Sequence, residues 1–107
     1  MHTISEPDWK LLRQLRPLAL ERFCQRVLSD IERLAQESAK TSHERYLAIY
    51  DLMQQRDREL ADTFNDQRRT TAFEQLARMR ALNLLTDDEV AHFSSDAREV
   101  VRFFAGR

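Results

Sequence analysis

The stretch LALERFCQRVLSDIERLAQE, residues 18–37, places Leu20, Cys24, Val27, Ile31 and Leu34 at alternating steps of four and three, with Phe23, Leu28 and Ala35 broadening the stripe. That period matches the 3.6 residues of a helical turn and not the two of a strand, so it predicts an amphipathic helix over about 18–37. Outward from it, Gly106 is the only glycine and Pro7 and Pro17 the only prolines among 107 residues. Residues 18–105 therefore hold neither of the backbone's two main punctuators. Tight primed hairpins, phosphate-cradling glycine loops, nucleophile elbows and EF-hand loops all need glycine inside the chain and are excluded. Fourteen leucines and eleven alanines against four valines and three isoleucines complete a helical inventory. The expected fold class is all-α. It would be one domain over residues 1–107, a small bundle of four to six helices with a long central helix at about 43–64 and a short C-terminal helical hairpin.

Ser5-Glu6-Pro7-Asp8 reads as a helix start: Ser5 caps, proline is harmless in the first turn, and the acids suit the positive end of the dipole. Pro17 clashes with the preceding turn and biases Arg16 away from helical angles, which predicts a short first helix and a sharp bend. Thr41 stands three residues before Glu44, a capping-box spacing that opens the next helix near 43. Its opening, Tyr46-Leu47-Ala48-Ile49-Tyr50, is apolar on every side, which predicts enclosure on more than one face and makes 43–64 the expected hub. The expected core is Leu20, Val27, Ile31, Leu34, Tyr46, Leu47, Ile49, Tyr50, Met53, Leu60 and Phe64.

Residues 65–71, Asn-Asp-Gln-Arg-Arg-Thr-Thr, hold no apolar side chain. A helix unbroken from 43 to 82 would be about 60 Å long, and would overhang a compact chain of this size, whose radius of gyration is near ~13 Å. A break at 65–71, with Thr71 and Glu74 as a second capping box, lets one chain close on itself and is the preferred reading. A continuous rod would need a second chain to cover it. Beyond it, Asn83 can take the left-handed cap conformation in glycine's place, with Leu84 and Leu85 behind it as buried anchors. Thr86-Asp87-Asp88-Glu89 is the strongest capping box of the chain and opens a two-turn helix through Phe93. Ser94-Ser95 then breaks it and caps a last helix carrying Val100, Val101, Phe103 and Phe104. The segment from Ala81 to Phe93 resembles the Leu-Leu-Thr-acid-acid-Glu hairpin near the ends of many bacterial short C-terminal domains, with Asn83 in place of the customary glycine. Capping chemistry accounts for the likeness, and no function is carried over from it.

The 17 basic and 18 acidic side chains leave a net charge of -1, so no global field steers a polyanion. Arginine supplies fifteen of the cations, suited to bidentate anion recognition but also the mark of a GC-rich genome. Cys24 is the lone cysteine, which precludes an intrachain disulfide and suits a reducing cytoplasm. The longest apolar run, Tyr46 to Tyr50, is far too short to span a membrane, and the N-terminus lacks an apolar signal core. For metal chemistry only Glu89-Val-Ala-His92 puts two ligands on one helical face. His2 and His43 have no glutamate three residues before them, so a di-metal site would require symmetry across a dimer. Cys24 lies on an apolar stripe, where a thiol is core filler rather than nucleophile. Asp87, Asp88 and Glu89 are explained by capping, and Asp57, Glu59, Asp62 and Asp66 alternate with arginines as a solvated face. No catalytic residue, metal or cofactor is expected.

Arg68, Arg69, Arg78 and Arg80 against Glu74 leave residues 67–86 at +3. The short helix, Ser-Ser turn and last helix share the outline of a helix-turn-helix, which makes a nucleic-acid-binding regulator the first alternative. Residues 87–99 sum to -4, however, and would repel phosphates where they should dock. The favoured reading is a non-catalytic protein-interaction or regulatory protein of the cytoplasm, self-associating, with a homodimer foremost. A basic segment directly before an acidic one is self-complementary across a two-fold axis. The expected partner-binding residues are thus Arg68, Arg69, Arg78, Arg80, Asp87 and Asp88, joined by the aromatics Phe103 and Phe104, with Trp9 a further exposed ring. A metal-dependent enzyme centred on Glu89 and His92 is the second alternative.

Overall fold

The computed structural model describes residues 3–105; His2 and Gly106 lie outside the described residues. In chain order come α1 (Glu6–Ala35), α2 (Ser42–Phe64), a 3-10 turn (Arg69–Thr71), α3 (Ala72–Ala81), α4 (Asp87–Ala91) and α5 (Ser95–Ala105). Among the described residues there is no strand, and the architecture is a small all-α bundle.

α1 begins where the sequence starts it, with Ser5 Oγ accepting the Asp8 N–H at 3.3 Å and Pro7 in the first turn. It does not bend and restart at Pro17: the expected short helix is replaced by 30 continuous residues. Pro17 is exposed, so the Arg13 carbonyl that its ring deprives of a partner lies on the solvent side, within reach of water. Leu12, Ala19 and Phe23 on the opposite face are buried and hold the helix to the core through the defect.

α2 opens with the Thr41/Glu44 capping box, at 3.1 and 2.8 Å, and Arg45 donates to the Ala35 carbonyl at 2.7 Å across the turn. α1 and α2 thereby form an antiparallel hairpin. The break at 65–71 is present: α2 ends at Asn65, and residues 66–68 are irregular. Thr71 does not form the expected box with Glu74. Its hydroxyl turns back to the Asp66 and Arg68 carbonyls, both at 3.1 Å, and ties the bend instead. Arg16 closes the other side, donating to the Phe64 carbonyl and lying 5.8 Å over its ring, a cation at the negative end of α2.

α3, α4 and α5 fold back on the root of this hairpin as a head. α3 ends at Asn83 with φ 59°, the Leu84 N–H on the Met79 carbonyl and the Asn83 N–H on the Arg80 carbonyl, each at 2.9 Å. This is a Schellman motif with asparagine in glycine's role, and it drives Leu84 and Leu85 into the core. α1 grips the turn from outside. Arg22 donates to the Leu84 carbonyl at 2.8 Å and bidentately to Glu89 at 2.7 and 3.0 Å, and Arg26 donates to the Leu82 and Asn83 carbonyls. Asp8, only 4% exposed, accepts the Ser94 N–H at 3.0 Å and its hydroxyl at 2.5 Å, while Ser94 Oγ accepts the Ala97 N–H at 3.3 Å. One buried carboxylate therefore joins the N-terminal ends of α1 and α5, where both helix dipoles favour negative charge.

The core lies in this head and not in the expected 43–64 hub. Ile4, Leu12, Ala19, Phe23, Phe64, Ala72, Leu76, Met79, Leu84, Leu85, Phe93, Ala97 and Val101 form one buried cluster. Of the residues expected inside, only Phe64 is buried; Leu20, Val27, Ile31, Leu34, Ile49 and Leu60 are half-buried, and Tyr46, Leu47, Tyr50 and Met53 are exposed. Reach explains the correction. α1 is about 45 Å long and α3 about 15 Å, so the head covers the root of the hairpin and leaves its outer half uncovered. The radius of gyration of 16.5 Å, against ~13 Å for a compact chain of this size, measures that projection.

Two outcomes follow for stability. Leu76→Ala, at a fully buried site, costs about 2–5 kcal/mol in denaturant unfolding, and Leu47→Ala in the predicted hub stays within about 0.5 kcal/mol. The reverse order would move the core back to α2. Hydrogen bonds from Arg22 hold the Glu89 carboxyl down from its ordinary 4.5 to about 2. A folded-state value below the unfolded one stabilises above about pH 4.5 and is lost as pH falls toward 2, so denaturation midpoints drop through that window. Glu89→Gln flattens the drop, and equal slopes in the two proteins would contradict this role.

Candidate interaction surface

Beyond the head, α1 and α2 pack on each other alone among the described residues, and each helix carries more apolar side chains than one neighbour can cover. On α2 the half-buried Ile49, Leu52 and Arg56 face α1. A second stripe, Tyr46, Tyr50, Met53, Asp57 and Leu60, runs beside it at steps of four and three, about a quarter turn round the helix. On α1 the corresponding stripe is Leu20, Cys24, Leu28, Ile31 and Ala35. The two stripes lie on the same side of the hairpin, because Cys24, Leu28 and Ile31 share with Met53, Asp57 and Leu60 a groove of about 220 Å³. Exposure is high where it matters: Leu28 60%, Tyr46 65%, Tyr50 53% and Met53 46%. Gln54 Nε2 donates to the Tyr50 hydroxyl oxygen at 3.0 Å, which leaves the phenol's own proton to donate elsewhere.

The opposite side of the hairpin is charged. There Arg26, Asp30, Arg56 and Glu59 surround a groove of about 210 Å³ beside Leu82 and Leu84, with Arg33 on Asp30 at 3.1 Å and Arg56 on Glu59. The hairpin is thus a two-sided blade, polar on one broad face and apolar on the other.

The arginines singled out from the sequence are mostly engaged within the chain. Arg68 holds Asp66 at 2.7 and 2.9 Å, and its hydrogen bonds pull the Asp66 carboxyl below its usual range. Arg69 reaches Glu6 at 2.8 Å and the Ile4 carbonyl at 3.1 Å. Arg80 takes Asp87 and the Leu85 carbonyl, so part of the expected basic-to-acidic complementarity closes inside one molecule. Arg78 borders a groove with Glu59 and Asp62. Asp88 offers its carbonyl to His92 Nδ1 at 2.7 Å. Phe103 and Phe104 stand exposed and edge-to-face at 5.7 Å, and Trp9 is half-buried beneath Arg13, whose guanidinium lies 6.0 Å from its ring. The helix-turn-helix outline places α5 with its first turn fastened to Asp8 and with Ala97 and Val101 buried.

Glu89, the carboxylate of the Glu-x-x-His pair, is committed to Arg22 and to the Thr86 cap. Among the described residues no group of three His, Cys, Asp or Glu is placed to hold a metal ion. Cys24 is half-buried on the apolar face. No helix among the described residues is long and apolar enough to cross a membrane. Periodicity alone places the blade's exposed side chains Tyr46, Leu47, Tyr50 and Met53 in the core. The signal that separates the two was the width of the α2 arc, where adjoining stripes ask for more than one neighbouring helix. Set against known proteins, the chain matches no family model, no curated sequence and no solved structure.

Proposed function

We propose that this chain is a non-catalytic protein-association module of the cytoplasm. The head fixes the root of a helical blade, and the blade offers its apolar face to another protein. A single observation carries the reading: Leu28, Tyr46, Tyr50 and Met53 stand 46–65% exposed side by side on one face while the far side of the same hairpin is charged. Burying such a side chain fully is worth about 1.5–3 kcal/mol, so covering the exposed half of these four recovers roughly 3–6 kcal/mol. Tyrosine and methionine are also the residues that interface centres favour over ordinary surface. The cytoplasmic assignment rests on the lone, unpaired Cys24 thiol.

At a dilution where sedimentation returns the monomer mass, the native chain enhances the fluorescence of an apolar-surface dye. The double variant Leu28→Lys/Tyr50→Lys keeps its helical circular dichroism and loses that enhancement. A signal absent from the native protein, or unchanged in the variant, removes the blade as a docking surface.

A further inference from the structure

Resting on that docking reading, we infer that the occupant of the apolar face is a second copy of this chain, packed antiparallel so that two blades close into a four-helix bundle. The first argument is the symmetry of the stripes. On α2, Tyr46, Tyr50, Met53, Asp57 and Leu60 are arranged almost identically in either direction from Met53. A two-fold axis lying in the interface and crossing the helices at that level sets Met53 on the copy's Met53, Tyr46 on the copy's Leu60, and Tyr50 on the copy's Asp57. On α1 the same axis passes Leu28, which shares the central groove with Met53, and sets Cys24 on the copy's Ile31 and Leu20 on the copy's Ala35. Apart from Tyr50 on Asp57, apolar side chains meet apolar side chains along both helices, at the steps of three and four by which bundle helices interlock.

The second argument is the one charge in the α2 stripe, beside which Arg56 also lines the groove from the seam with α1. Asp57 lies within the α2 stripe and lines the groove, and among the described residues no hydrogen bond or ion pair engages its side chain. A carboxylate covered without a partner is costly. The antiparallel arrangement supplies that partner, because the Tyr50 phenol of the copy already accepts from Gln54 and has its proton free to donate. In the alternative, side-by-side pairing, α1 lies over the copy's α2 and Asp57 meets the level of Cys24 and Leu28, stripe residues that offer a carboxylate no strong donor.

The area suffices. Residues 20–35 of α1 run about 24 Å, and two packed helices are about 20 Å wide, so each copy offers roughly 500 Å² in projection and the pair about 1,000 Å², the lower bound of a specific interface.

The test uses the intact chain. Sedimentation equilibrium at micromolar concentration returns twice the 12.7 kDa chain mass, and Tyr50→Phe weakens the dimer about tenfold. In a Cys24→Ser background, Met53→Cys and Leu28→Cys each give a covalent dimer with a short bis-maleimide. Linkage only in a mixture of the two variants overturns the antiparallel arrangement. A monomer mass at every concentration, with the dye enhancement intact, overturns self-pairing and spares the docking reading; loss of the enhancement as well removes both.

Discussion

Two helices lying side by side can each bury one stripe and no more, and every unusual feature of this chain descends from that limit. The head is built from helices too short to follow α1 along its length, so cover ends near Phe23 and Phe64, whose rings meet edge-on at 6.2 Å. On one side of that level the molecule is an ordinary domain with a closed core. On the other it is a bare hairpin, held by its capping box, the Arg45 bond to the Ala35 carbonyl and a single half-buried seam. Local stability should follow the same gradient, highest where Leu76 and Met79 are sealed and lowest at the tip, since opening free energy tracks buried apolar contact.

The head in turn holds together through charges directed at backbone ends. Arg16 takes the last carbonyl of α2, Arg22 and Arg26 take the carbonyls that follow α3, and Asp8 takes the free N–H of Ser94 at the start of α5. Each answers groups that a helix terminus leaves without a partner. A fold made of short helices has many termini for its size, and arginine, with its planar fork of donors, can satisfy adjacent carbonyls at once. The abundance of arginine thus has a structural use here that neither anion recognition nor genome composition describes. It also bears on the nucleic-acid alternative, because Arg68, Arg69 and Arg80 are closed on Asp66, Glu6 and Asp87 before any phosphate arrives.

What could be read from the sequence was local. The Ser5 cap, the Thr41 and Thr86 boxes, the left-handed Asn83 and the break at 65–71 depend on residues a few places apart, and the structure has them all. Pro17 was misread because its cost depends on whether the freed carbonyl meets water, which is decided by the side of α1 that the distant head occupies. Thr71 was misread because the bend offered its hydroxyl nearer acceptors, the Asp66 and Arg68 carbonyls, than the cap position did. Arg22 and Arg26 gave no signal at all. Their acceptors lie in another segment and are main-chain atoms, which carry no sequence identity.

The largest error, placing the core in 43–64, is of a different kind. Periodicity reports which side chains are shaped for burial; it is silent on whether the neighbour that buries them belongs to the same chain. The interface of an obligate dimer resembles a domain core cut in half, and a stripe such as Tyr46, Tyr50, Met53 and Leu60 reads identically in both settings. Selection against exposed apolar surface acts on the state that the molecule occupies, so an isolated blade with this face would invite indiscriminate aggregation. In the proposed dimer, a stripe whose positions mirror about Met53, with its only acid set opposite a tyrosine, restricts that attraction to one geometry. The pattern that makes 43–64 look like a hub is therefore also the pattern that the proposed two-chain hub requires, and in that proposal Asp57 is the residue that disfavours an arbitrary apolar helix.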